Sequence, residues 1–205
     1  MGKTNRTEAF SDGVLAIAIT LLVLDLRVPA RDMLEGSLAH ALGHEWPALF
    51  AYVASFLAIG IIWVNHHAVF NLIGVVDRLA MFLNLLLLMC VAAIPFTTAL
   101  LSEYLTAGSD GRTAALVYSF VMLAMALCFG ALHRYVAHRP ALLAQGVDSV
   151  VVRASLVRFT VVGLTLYGLT IVVALISAIA CLALHLIIAL YYGFEQTSRA
   201  PRPNE

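Results

Sequence analysis

Long and nearly uncharged apolar tracts constrain the fold of this chain more than any other feature of its sequence. Hydrophobic residues make up 62% of it and charged residues only 12%, whereas about 25% of the residues in a typical soluble domain are charged. A tract of about 20 apolar residues forms a helix that crosses the hydrocarbon core of a bilayer. The sequence therefore predicts an all-α integral membrane protein, and its zero net charge gives no basic surface for nucleic acid.

The apolar tracts predict six transmembrane helices in one domain over residues 1–205. The last tract, 152–194, would be about 64 Å long as one helix, so it must cross the core twice, and we divide it near Ser177. The predicted spans are 7–28, 47–70, 79–104, 113–135, 152–175 and 178–194. Between the first two spans, Asp32 begins a predicted surface helix, and a polar tail follows at 196–205.

The distribution of Lys and Arg predicts the orientation in the membrane, because cytoplasmic loops carry an excess of these residues. With six spans, nine of them lie on the side that holds both termini: Lys3, Arg6, Arg78, Arg134, Arg139, Arg153, Arg158, Arg199 and Arg202. Three lie on the other side: Arg27, Arg31 and Arg112. We therefore expect a protein of the cell membrane with both termini in the cytoplasm.

An aspartate lies inside the first apolar tract. Asp12 and Asp25 are separated by twelve uncharged residues, about 18 Å of helix, which is shorter than the hydrocarbon core. A carboxylate within the membrane costs about 2–3 kcal/mol even on lenient scales, so such residues face protein and find partners. Asp12 could be a hydrogen-bonding hub between helices, a proton or ion site, or a cap at a fraying helix end.

A helical projection separates Asp12 from the apolar face of this helix. At about 100° per residue, one narrow sector collects a stripe of six residues: Phe10, Gly13, Ile17, Thr20, Leu21 and Leu24. Asp12 falls about 120° away from that stripe. The projection therefore predicts that Asp12 faces a neighbouring helix and not the same surroundings as the stripe.

A second polar group, WVNHH at 63–67, lies at the cytoplasmic end of the second span. Trp63 and His67 are four residues apart and share a helix face at the expected depth of Asp12. We expect Asp12, Trp63 and His67, with Arg6, to form a network between the two helices; interfacial Trp and His anchoring is the alternative. His66 with His67, and His40 with His44, could bind a metal, but neither pair brings a third ligand.

The first helix resembles the start of the transmembrane-protein-175 family in the segment RTEAFSD at 6–12, followed by Ala16-Ile17 and Thr20-Leu21-Leu22. The WVNHH segment supports the resemblance. Prokaryotic members of that family are six-span potassium channels that assemble as homotetramers. The resemblance implies a pore that the first helices of a symmetric oligomer line, without a carbonyl filter loop and with potassium as the permeant ion and no cofactor.

The resemblance also implies roles for individual residues. It places the apolar pore constriction at Ile17, Leu21 and Leu24, with Ile17 and Thr20 setting ion selectivity. It assigns a structural polar network to Arg6, Ser11, Asp12, Trp63 and His67. These roles agree with the stripe of the projection.

Three function classes follow from the sequence. The first is a modestly potassium-selective channel. The second is a proton-coupled transporter that uses Asp12 and His67, although the chain shows no inverted repeat and no clearly broken helix. The third, a membrane enzyme or metal-handling protein using the histidines, lacks a complete ligand set, so we expect neither an enzyme nor a metal centre.

Overall fold

The computed structural model describes residues 3–29, 37–147 and 149–198, and these residues fold almost entirely as helices. The α-helices in the described residues are α1 Lys3–Leu21, α2 Leu38–His44, α3 Trp46–Phe70, α4 Arg78–Tyr104, α5 Ser109–Ala137, α6 Ser149–Ile176 and α7 Ala178–Ser198. The all-helical fold class is thus confirmed.

Four helical segments among the described residues are long and apolar enough to cross a membrane. They are Thr4–Asp25, Trp46–Phe70, Arg78–Tyr104 and Ser109–Ala137. The last two helices carry shorter apolar segments, Val161–Ile176 and Ala178–Gly193. The protein is therefore an integral membrane protein, while the count of six spans stays a prediction.

Local sequence explains several helix ends. Pro47 lies in the first turn of α3, where its missing N–H costs no hydrogen bond. Asp77 caps α4, because its side chain accepts a hydrogen bond of 2.9 Å from the N–H of Ala80. The chain turns at Ser177 between α6 and α7, and the Ser177 hydroxyl accepts a bond of 3.3 Å from the N–H of Ala180.

The end of the first helix differs from the prediction. The α-helix stops at Leu21 and continues as a 3₁₀ turn over Leu22–Asp25, and Leu26 is already extended. A 3₁₀ turn is a common way for a helix to end, and Pro29 disfavours helical geometry in the residue before it. The helix also begins earlier, at Lys3, than the predicted 7.

The surface helix and the tail fall only partly within the described residues. A short helix, α2, is present and none of its side chains is buried, but its cap is Ser37, whose side chain accepts a bond of 3.3 Å from the N–H of His40. The expected cap, Asp32, lies outside the described residues. Of the predicted tail, 196–198 belong to α7, and 199–205 lie outside the described residues.

Among the described residues, most buried apolar side chains form one large core, and Ala137 with Val152 forms a small second cluster. α5 lies along both α4 and α6, whereas α3 contacts α1, α4 and α7. Among the described residues, the buried side of α1 packs against α3 and α4. Its position at the edge of the bundle leaves the other side of α1 open.

Hydroxyl groups in the core pair with one another across helices. The Ser55 hydroxyl lies 2.8 Å from the Thr98 hydroxyl and 2.9 Å from the Tyr118 hydroxyl. The Ser119 hydroxyl lies 3.1 Å from Nε2 of His185. Because a bilayer offers no water at this depth, polar groups must be satisfied within the protein. These pairs join α3, α4, α5 and α7.

Candidate pore helix

The first helix has one exposed face and one buried face. Four large apolar side chains of the predicted stripe are exposed in the subunit: Phe10 by 56%, Ile17 by 61%, Leu21 by 42% and Leu24 by 73%. Gly13 and Thr20 of the stripe are also exposed. The opposite face buries Ser11, Leu15, Ala18 and Leu22. The stripe therefore lies on the side of α1 that no other part of the described subunit covers.

The 3₁₀ turn brings two residues of the stripe into line. Residues three apart eclipse one another in a 3₁₀ helix, whereas they are offset by about 60° in an α-helix. Leu24 lies three residues after Leu21 and within that turn. The two leucines are therefore aligned more closely along the helix than the projection predicted.

Thr20 presents an oxygen rather than a hydroxyl hydrogen to its surroundings. Its hydroxyl donates to the backbone oxygens of Ala16 and Ile17, each at 2.9 Å. With the hydrogen engaged within the helix, the lone pairs of the hydroxyl oxygen are left to accept. An exposed oxygen of this kind is a suitable partner for a cation that loses part of its water shell.

The side of α1 that faces α3 carries two polar contacts, one turn apart. Nε1 of Trp63 donates to Oδ1 of Asp12 at 3.0 Å. Nδ1 of His67 lies 2.8 Å from Oε1 of Glu8. His67, which we expected beside Asp12, thus meets Glu8. The reason is geometric. In an antiparallel pair of helices, one turn from Asp12 back to Glu8 on α1 runs alongside one turn from Trp63 forward to His67 on α3.

A third contact joins α1 to α4 in the buried interior. The side-chain amide nitrogen of Asn84 donates to Oγ of Ser11 at 2.9 Å, and Nε2 of His66 lies 2.9 Å from Oδ1 of Asn84. The Ser11 hydroxyl in turn donates to the backbone oxygen of Thr7 at 2.9 Å. Because Oδ1 of Asn84 only accepts, His66 donates through Nε2 in this chain of bonds.

Arg6 takes no part in these bonds. Its side chain is exposed, and among the described residues no hydrogen bond or ion pair joins it to Asp12. It lines a surface cavity together with Phe10 and Asn84. The other four residues of the expected network, Ser11, Asp12, Trp63 and His67, do each bond another helix, but not all to one another.

Sequence reasoning missed three members of this region: Glu8, His66 and Asn84. The signal for Asn84 was present, because it is the one polar residue in the run MFLNLLLL at 81–88. A polar amide within a membrane tract calls for a partner in the same way as Asp12 does. The sequence offered no reason to choose His66 rather than His67 as the buried partner, because only the packing of the helices shows that His66 is buried and His67 is exposed.

The histidine pairs do not gather further ligands in the described part of the chain. The rings of His40 and His44 lie 4.7 Å apart on the surface helix. Among the described residues, no group of three His, Cys, Asp or Glu side chains could hold a metal ion.

Comparisons with known proteins agree with this architecture. The model of the family "Endosomal/lysosomal potassium channel TMEM175" matches residues 6–95. A potassium channel of Streptomyces collinus is 53% identical over 196 residues, which cover 96% of this chain and 94% of that protein. A potassium channel of Chamaesiphon minutus is 46% identical over 147 residues, which cover 71% of this chain and 72% of that protein.

A solved structure extends the likeness to the fold. The crystal structure of a lysosomal potassium-selective channel TMEM175 homolog from Chamaesiphon minutus has a TM-score of 0.83 and 37% sequence identity, and the match covers 94% of this chain and 97% of that one. These relatives are channels, not enzymes. On the strength of a relative that matches nearly end to end, the chain belongs to the TMEM175 family.

Proposed function

We propose that this protein is a potassium-selective channel whose pore is lined by the first helix of each subunit in a symmetric homo-oligomer. The observation that carries the proposal is the exposed apolar face of α1, on a helix whose other sides bond to α3 and α4. The names of its relatives as potassium channels support the choice of ion.

The exposed face requires copies of the subunit. A single helix at the edge of a bundle cannot enclose a pore, but several copies around an axis can. Identical subunits that contact one another head to tail form a closed ring when the rotation between them closes, and such a ring surrounds a common axis. The family resemblance supports a homotetramer as the form of that assembly. In such an assembly Ile17, Leu21 and Leu24 of each subunit face the axis.

Apolar rings and a few oxygens together account for modest selectivity. A ring of Ile17 side chains repels water when it is narrow and admits partly hydrated ions when it widens slightly. Thr20 lies three residues away and directs its oxygen outward. Potassium loses water at a lower cost than sodium, so a narrow apolar ring with few oxygens favours it. Permeation of this kind involves no resident cofactor, and potassium enters only as the permeant ion.

The same proposal places the channel in the cell membrane. Six spans with nine Lys and Arg residues on the side of both termini put those termini in the cytoplasm. The polar contacts that Glu8, Ser11 and Asp12 of α1 make with α3 and α4 then lie in the cytoplasmic half of the helix. Ile17 lies about 8 Å deeper than Asp12 along the axis.

The test is potassium permeation through purified protein in liposomes and planar bilayers. Wild-type protein should pass potassium passively, and the Ile17→Asn variant should lose selectivity against sodium. Ile187→Asn is a matched control, because Ile187 on α7 is exposed by 60%, nearly as much as Ile17. Equal selectivity of the Ile17 variant and the wild type would refute the pore assignment.

The same liposomes separate a channel from a proton-coupled transporter that uses Asp12 and His67. A transporter would move potassium only with a proton gradient and would stop when Asp12 is replaced by Asn. The structure gives the two residues different partners, Trp63 and Glu8, and so offers no direct relay between them. Passive flux that survives Asp12→Asn supports the channel.

A further inference from the structure

The loop that connects α3 to α4 bonds to the start of the first helix. The hydroxyl of Thr4 donates to the backbone oxygen of Gly74 at 3.1 Å. Thr4 is only 7% exposed, although it is the second residue of its helix. Gly74 belongs to the loop 71–77, which connects α3 to α4. A buried hydroxyl so near a helix end indicates a fixed attachment.

The loop 71–77 is itself held by a second loop. The N–H of Gly74 donates to the oxygen of Leu142 at 2.8 Å, and the N–H of Ala144 donates to the oxygen of Leu72 at 2.9 Å. A Cβ at Gly74 would lie 3.1 Å from Cα of Ala144. Only glycine allows the two backbones to approach this closely without a shift. The second loop follows α5.

The end of the loop 71–77 is attached to α5 directly. The hydroxyl of Tyr135 donates to Oδ2 of Asp77 at 2.6 Å. Ile73 and Val76 of the loop are buried against the core. With its middle, its end and its apolar side chains all engaged, the loop is a fixed point against which α1 is positioned.

We propose that the loop 71–77 is a clasp that sets the rotation of the pore helix, with Thr4 as a positioning residue for ion selection. The proposal rests on the pore function proposed above. α1 is one continuous α-helix from Lys3 to Leu21, so a rotation at Thr4 is carried to Ile17. At a side-chain radius of about 5–6 Å, a rotation of about 10° moves the tip of Ile17 by about 1 Å. The wetting of a narrow apolar ring is sensitive to shifts of that size.

The clasp differs from the other contacts of α1 in what it connects. The bonds of Glu8, Ser11 and Asp12 join α1 to side chains on α3 and α4. The bond of Thr4 joins α1 to backbone that is in turn bonded to the loop after α5. Thr4 therefore links the pore helix, through the loop 71–77, to the loop after α5, to which the bonds of Glu8, Ser11 and Asp12 do not connect it.

The test measures the potassium-to-sodium permeability ratio of the full chain in planar bilayers. Thr4→Val keeps the shape of the side chain and removes the donor, and it should change the ratio by roughly two- to thirtyfold, the range of coupling seen for residues that act at a distance. Thr4→Ser keeps the hydroxyl and should restore the wild-type ratio. Thr113→Val is the matched control, because Thr113 is exposed and its hydroxyl donates within α5 to the backbone oxygen of Ser109.

A double variant shows whether the effect passes through the clasp. Gly74→Ala should push the loop away from Ala144 and change the ratio in the same direction as Thr4→Val. The two together should give no more than the larger single effect, because they disrupt one contact. Additive effects would overturn the clasp. If Gly74→Ala fails to assemble by size-exclusion chromatography, the comparison of Thr4→Val, Thr4→Ser and Thr113→Val decides alone.

Ile17→Asn in the same bilayers separates the two proposals. An unchanged ratio in the Ile17 variant refutes the pore assignment, whatever Thr4→Val does. A changed ratio in the Ile17 variant, together with a Thr4→Val channel that matches wild type, leaves the pore assignment standing and overturns the clasp. A change in Thr4→Val that Thr113→Val shares also overturns it.

Discussion

Replacement of Asn84 by Leu is expected to destabilise the subunit through the bonds of the first helix. Asn84 is almost completely buried, and its amide bonds Ser11 and His66, each at 2.9 Å. Leu has a similar volume and neither donates nor accepts. The change therefore removes two interhelical hydrogen bonds without leaving a large cavity.

The magnitude follows from hydrogen bonds measured within membranes. Such bonds contribute about 0.6 kcal/mol on average and about 1.7 kcal/mol at most, so two of them predict a loss of about 1–3 kcal/mol. The upper part of that range applies if His66 is left without a partner. Its Nδ1 is already buried without a hydrogen bond in the described structure, and an unpaired buried group is costly.

The assay is reversible unfolding of purified protein in mixed micelles. Asn71→Leu is the control, since Asn71 is exposed just after α3 and should shift the free energy of unfolding by less than about 0.5 kcal/mol. A double-mutant cycle with Ser11→Ala should show a coupling energy, because the two side chains are in contact. A loss for Asn84→Leu no larger than for Asn71→Leu, with zero coupling to Ser11, would refute the reasoning.

Three further predictions concern other contacts. Trp63→Phe removes the N–H that binds the carboxylate of the first helix and should cost about 0.6–1.7 kcal/mol in the same unfolding assay; no loss would show that the bond contributes nothing. Gly111→Ala should destabilise, because the added Cβ would lie 2.5 Å from the oxygen of Tyr104, whereas Gly168→Ala has open space and should stabilise by up to about 1 kcal/mol; equal effects would contradict this packing. The hydrogen bond from Tyr135, with that from the backbone, holds the pKa of Asp77 below its ordinary value. The ionised Asp77 therefore stabilises the fold at a pH above the ordinary pKa of aspartate, and this stabilisation is lost as the pH falls below about 4. Tyr135→Phe should reduce that acid-induced loss, and an unchanged pH profile of unfolding would contradict the assignment.

The sequence predicts those properties of the first helix that belong to one helix alone. The stripe that includes Ile17 and Leu21 followed from a fixed angular step, and the structure places those side chains on the exposed face. The step needs no knowledge of neighbours, because an α-helix rotates by the same angle at each residue. It lost accuracy only at Leu24, where the turn becomes 3₁₀.

The partners of the polar residues depend on the register between helices, which the sequence does not contain. Placing Asp12 and Trp63 at one depth was sufficient to expect a contact, but a shift of one turn decides whether His67 meets Asp12 or Glu8. Such a shift is about 5.4 Å, which is within the error of span boundaries drawn from hydropathy. Contacts with loops, such as that of Thr4 with Gly74, are even harder to predict from the sequence.

The arrangement of polar and apolar contacts along α1 explains how its exposed face, the proposed pore lining, can be almost wholly apolar. Lipid is as apolar as leucine, so burial does little to fix one helix against another, and hydrogen bonds and close packing do so instead. Polar contacts of α1 with other elements come from Thr4, Glu8, Ser11 and Asp12, and these four residues all precede Gly13. After Gly13 the buried face consists of Leu15, Ala18 and Leu22, which pack without hydrogen-bonding side chains. The first half of the helix thus fixes its position, which leaves the second half free to carry the apolar side chains that the proposed pore requires.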